Sequence, residues 1–221
     1  MALRVPRSYL RPGDVLAVHR GFRIGYKATP FWLLGGAIER VTNGKVSHIA
    51  YLAGPAHEVH ERFKHIAGSQ PRPMDRLYVS KIASAYPEEW IVQEESAAGD
   101  HLTTLREFEG PEQDVHVGRN TSISDEQQWA LFVAHMNLLG QPYDYLDFGE
   151  FALRALIPQA RFLFSGEANH LVCSGQEGLA SEMVQPPFEY SHGKRYWELT
   201  PQDIYASPIM IWDNELIHRH A

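Results

Sequence analysis

The 221-residue chain carries 27 acidic against 20 basic side chains, a formal net charge of −7, and 44% hydrophobic residues. That size and apolar fraction suit one globular domain over residues 1–221 around one buried core, and the acidic balance without a run of Lys or Arg argues against nucleic acid as a partner. A single cysteine, Cys173, excludes an internal disulfide, and the N-terminal stretch MALRVPRSYLRPGDV has neither a signal-peptide core nor a membrane-length apolar run.

In chain order, Pro12-Gly13-Asp14 is a turn signal that runs into a strand at Val15 to Val18. Thr29-Pro30 and the apolar residues that follow predict a helix stopped at Asn43-Gly44. Val46 to Leu52 alternates as a strand, with Val46, His48, Ala50 and Leu52 on one face. Residues 54–75 read as an irregular excursion, and Leu77 to Ala83 as a strand or a short helix. Trp90 to Glu95 has strand propensity, as has Asp114 to Val117. Ser124 with Gln127 forms a capping-box pattern ahead of a helix whose apolar stripe is Trp129, Phe132, Val133 and Met136. Further helices are expected at Asp147 to Leu156 and Ser174 to Val184. Thr200-Pro201 opens a helical turn, and the strand-like PIMIW follows.

Two of these elements carry chemistry. Cys173 stands where an apolar pair, Leu171-Val172, enters a helix, and the unsatisfied N–H groups and dipole of a helix start favour a thiolate. A thiolate nucleophile also needs a general base on a rigid carrier, and His48 on its strand is the candidate. The backbone N–H of Cys173 suits an oxyanion, so the pair points to acyl transfer. A metal reading rests on His57, His60 and His65, but the zinc pattern HExxH fails because Glu61 stands where its second His belongs. No cofactor motif is found.

Gly140-Gln141-Pro142-Tyr143 and Cys173-Ser174-Gly175 resemble the GxPY and CSG signatures of the NlpC/P60 cysteine peptidases. Pro12-Gly13-Asp14-Val15-Leu16 and Ser47 to Gly54 resemble that family's first strand and its catalytic-histidine strand. Here the His segment precedes the Cys segment, the order of the circularly permuted members, which include the YiiX-like and lecithin-retinol-acyltransferase-like proteins. Val172 departs from the family, which usually has Asp before the nucleophile.

The resemblance implies an α+β, papain-like fold in which a helix bearing Cys173 packs on an antiparallel sheet bearing His48. It also implies a third polar residue on the next strand that orients the imidazole. Glu95, followed by the small Ser96, matches the permuted relatives; Glu94 and Gln93 remain alternatives. Tyr143 maps onto a tyrosine beside the nucleophile and, with Ser174 of the CSG signature, is assigned to the substrate and oxyanion side. The implied function is a cysteine amidase or peptidase acting on peptide or amide substrates such as peptidoglycan stem peptides. Two other expectations stand beside it. One is a thiol acyltransferase or lipid or thioester hydrolase on the same fold, and the other a binding or structural component of a phage tail or secretion assembly. The expected location is cytoplasmic, or in a phage particle that delivers the chain, without stable membrane insertion.

Overall fold

A computed structural model of the protein describes residues 3–19, 45–68, 70–96, 99–110, 114–142 and 173–218. Among these residues six strands, β1 (Val15–His19), β2 (His48–Pro55), β3 (Trp90–Ser96), β4 (Gly99–Thr104), β5 (Asp114–Asn120) and β6 (Met210–Trp212), form one sheet. Its order is β4-β3-β2-β1-β5-β6, with every neighbouring pair antiparallel. Helices α1 (Ala56–Phe63), α2 (Pro73–Ala85), α3 (Asp125–Leu138), α4 (Cys173–Met183), α5 (Pro201–Tyr205) and α6 (Asp213–His218) make the fold α+β.

Both sides of the central strands are covered, which explains their nearly continuous apolar sequence. On one side Tyr51 and Ala53 of β2 and Ile91 of β3 pack against Phe63 of α1, Phe132 and Met136 of α3, and Ala180 of α4. On the other, Ala50, Leu52 and Val92 meet Leu16, Val117, Leu10 and Phe108. Tyr51 lies opposite Gln93, and Leu52 opposite Val92. Facing residues of an antiparallel pair share a side of the sheet, so this register decides which β3 side chains join His48.

The Pro12-Gly13-Asp14 turn sets β1 against β2. Gly13, at φ +91°, donates its N–H to the Leu52 carbonyl at 2.9 Å, and the Leu52 N–H donates to the Asp14 carbonyl at 2.8 Å. The Asp14 carboxylate is buried and takes two hydrogen bonds from Arg119, from Nε at 2.7 Å and Nη2 at 2.8 Å. This pair ties the turn to β5.

The segment expected to be irregular, 54–75, instead holds α1 and the start of α2. Ala56, Val59 and Phe63 recur at helical spacing and are buried, and Pro73 at the first turn of α2 supplies a preset φ without costing a hydrogen bond. Leu77 to Ala83 is therefore helical. The Ser124–Gln127 capping box forms, with the Gln127 N–H on Ser124 Oγ at 3.3 Å and the Ser124 N–H on Gln127 Oε1 at 3.0 Å. The buried face of α3 is rotated from the expected stripe. Leu131, Phe132, His135 and Met136 are inside, while Trp129 is 38% exposed and stacks on Phe132. The expected helices after Pro30 and over Asp147 to Leu156 lie outside the described residues.

Candidate active site

Cys173 is the first residue of α4 and only 7% exposed. Two contacts hold this end of the helix. Ser174 Oγ donates to the Leu199 carbonyl at 2.6 Å, and a Cβ at Gly178 would come within 2.5 Å of Leu199 Cδ1, so the glycine permits a close approach. The Ser174 hydroxyl is thus engaged with Leu199 rather than directed at the sulfur, but its backbone N–H is turned to the Cys173 sulfur.

Burial pushes the Cys173 thiol up. The charge of His48 and its hydrogen bond to the sulfur, with backbone N–H groups of Ile49 and Ser174, outweigh burial and bring the thiol below its ordinary value of 9.0. Cys173 and His48 therefore meet, although 124 residues separate them in the chain. His48 is the first residue of β2 and 9% exposed, so the base sits on the sheet and the nucleophile on a helix.

The residue behind the imidazole is Glu94. Its Oε2 is 3.5 Å from His48 Nε2, within ion-pair reach of the ring when it is protonated. Glu95, assigned this position from the family pattern, lies on the other side of β3. The β2–β3 register places Gln93 with Tyr51 and Val92 with Leu52, and alternation then puts Glu94 beside His48 and Glu95 on the helix-covered side, where it is 2% exposed. On the adjacent strand His101 faces Glu94 directly, with Nε2 3.6 Å from Glu94 Oε1 and Nδ1 3.1 Å from the Gly99 carbonyl. His101 was not singled out from the sequence, because nothing there tells which residue of the HLTT stretch pairs with which glutamate. Tyr143 lies outside the described residues.

Beneath α4 the other side of β3 and β4 is polar. Gln93 Nε2 donates to Asp100 Oδ2 at 2.5 Å and to the His135 carbonyl at 2.8 Å. Burial pushes the Asp100 carboxyl up to about 8, against the opposing hydrogen bonds of Gln176 and Gln93. Glu177, one residue further along α4, accepts from the Tyr190 hydroxyl at 2.5 Å and lies 3.2 Å from His135 Nε2. The His135 ring in turn stacks on Tyr51, with centroids 3.8 Å apart. These buried groups link α4 to α3 and to the sheet, although Asp100 Oδ1, Gln93 Oε1 and both ring nitrogens of His135 make no hydrogen bond among the described residues, which makes the cluster a costly one to bury. The β3–β4 pair thus touches the nucleophile helix with one face and the base with the other.

His57 of the histidine-rich segment is directed at the Pro87 carbonyl, 2.9 Å from Nδ1. Among the described residues no group of three His, Cys, Asp or Glu is arranged to hold a metal ion, and no helix is long and apolar enough to cross a membrane. A scan against protein-family models gives no match for the chain, and neither does a search of curated proteins.

Proposed function

We propose that the chain is a cysteine hydrolase on a circularly permuted papain-like fold, cleaving an amide bond through an acyl-enzyme. The observation that carries this reading is the hydrogen bond between Cys173, at the start of α4, and His48, at the start of β2; the thiol's shift below its ordinary value despite burial agrees with it. A buried structural cysteine has the opposite shift.

Cys173 Sγ attacks the carbonyl carbon of the substrate, and the electron pair of the C=O bond moves to oxygen. The N–H of Cys173 stands at the first position of α4, and we assign it to that oxyanion. As the tetrahedral adduct collapses, protonated His48 gives its proton to the leaving amine, and a thioester remains on Cys173. His48 then takes a proton from water, which attacks the thioester and releases the acid. Glu94 stabilises the imidazolium and holds the ring. Resemblance to the NlpC/P60 peptidases supports peptidoglycan stem peptides or related small amides as substrates.

Because Cys173 is the only cysteine, the test is site-specific. The protein is treated with iodoacetamide over a range of pH, and the adduct is followed by intact mass, in the wild type and in His48→Ala. Wild-type labelling should persist below the ordinary thiol range, and His48→Ala should move the fall in rate to higher pH. The protein is then offered peptidoglycan stem peptides and lipid esters, with Cys173→Ala as the control. An acyl adduct from the peptides supports the amidase, and turnover of lipid esters alone replaces it with the acyltransferase class. A Cys173 indifferent to His48 removes the catalytic reading.

A further inference from the structure

We propose that His101 is a positioning residue of this site, which holds the Glu94 carboxylate against His48 so that Cys173, His48, Glu94 and His101 act as one chain of contacts. The inference rests on the cysteine-hydrolase reading above and extends it by one residue.

A glutamate has three side-chain torsions, and fixing it costs entropy. The 3.5 Å between Glu94 Oε2 and His48 Nε2 is longer than the roughly 2.7–2.9 Å of a tight charge-assisted hydrogen bond, so a contact at the other oxygen adds to the hold on the carboxylate. His101 supplies the second point of attachment. It sits directly across from Glu94 in the β3–β4 register and reaches the other oxygen, Oε1, at 3.6 Å. Two points on one carboxylate define its plane, which one cannot.

His101 is itself held from behind. Its Nδ1 is 3.1 Å from the Gly99 carbonyl and donates to it, so the ring is fixed on one side and, when it carries both protons, attracts the Glu94 carboxylate by charge on the other. The backbone that presents this carbonyl is stapled in turn. Asp100 donates its N–H to the Gln141 carbonyl at 2.9 Å, and Gly140 donates to the Asp100 carbonyl at 2.9 Å. Gly99 adopts φ +90°, and a Cβ there would stand 2.5 Å from the Gln141 oxygen, a fit that only glycine allows. The Gly140-Gln141 part of the GxPY-like stretch thus reaches the catalytic carboxylate through Gly99 and His101.

The experiment measures the iodoacetamide alkylation rate of Cys173 in the intact chain at a pH below the ordinary thiol range. It compares the wild type, His48→Ala, Glu94→Gln, His101→Ala, His101→Gln and the Glu94→Gln/His101→Ala double variant, with thermal melting of each as a check on folding. His101→Ala should slow alkylation roughly fivefold, the scale of a partly exposed ion pair. The double variant should react no more slowly than Glu94→Gln alone, because a residue that acts through Glu94 has nothing to act on once the charge is gone. His101→Gln, which keeps a donor, should recover much of the rate. A wild-type rate in His101→Ala, or losses that multiply in the double variant, overturns the inference while Glu94→Gln and His48→Ala remain slow. If His48→Ala reacts as fast as wild type, the hydrolase reading fails, and this inference falls with it.

Discussion

Replacing Glu94 by Gln separates the two adjacent glutamates of β3. The substitution keeps shape and removes charge, so the loss it causes is that of the carboxylate acting on the His48 imidazolium. Unit charges about 3.5 Å apart attract by roughly 4–5 kcal/mol at an effective dielectric of about 20, before desolvation is subtracted. The two side chains are 11% and 15% exposed, so most of that attraction is offset by desolvation, and even a charge-assisted hydrogen bond of normal length has a net gain of only about 1.5–3 kcal/mol. The 3.5 Å separation places this contact at the low end, near 1.5 kcal/mol, close to tenfold in the population of the thiolate–imidazolium pair. Glu94→Gln should therefore slow alkylation of Cys173 about tenfold at pH values below the ordinary thiol range, and the deficit should close as pH rises and the thiolate forms unaided. Glu95→Gln should leave the rate near wild type, because its side chain lies across the sheet from His48. The assay is intact-mass kinetics with iodoacetamide, in which the lone cysteine reports without background. Wild-type reactivity in Glu94→Gln, or a deficit confined to Glu95→Gln, would refute the reasoning from register.

Two predictions concern stability. The Asp100 carboxyl, raised by burial to about 8 from an ordinary 3.8, keeps a proton in the folded chain that the unfolded chain has released. Its contribution should fall as pH rises from about 4 to about 8, with a slope on the order of 1 kcal/mol per pH unit, and level off above. Urea unfolding across pH should show this slope flattened in Asp100→Asn, and an unchanged slope would exclude Asp100 as its source. Arg119→Met strands the buried Asp14 carboxylate, and the loss should be about 3–5 kcal/mol; a denaturation midpoint equal to wild type would show that the pair does not hold the turn.

Local chemistry made much of this protein legible. Ser124 and Gln127 cap α3 because a hydroxyl and an amide three residues apart satisfy the first N–H groups of a helix whatever surrounds them. Thr200 and Asp203 do the same for α5. The alternating or continuous apolar runs of β1, β2, β3 and β6 announce strands for an equally local reason, and Cys173 could be placed at a helix start from its neighbours. The histidine-rich stretch was harder to read, since the buried set Ala56, Val59 and Phe63 is short and its remaining positions are charged.

Which side chains face one another was not local. Glu94 and Glu95 are neighbours with the same chemistry, and a shift of one residue in strand pairing exchanges their faces. The choice was made by Tyr51 standing opposite Gln93, and that pairing depends on both sides of β2 and β3 being packed at once. The meeting of His48 with Cys173, the alignment of His101 with Glu94, and the burial that raises Asp100 likewise arise from segments far apart in the chain. Residue types and caps are properties of the sequence by itself; register and burial exist only when the sheet and helices close on each other, so the partners within the site were decided by the tertiary structure.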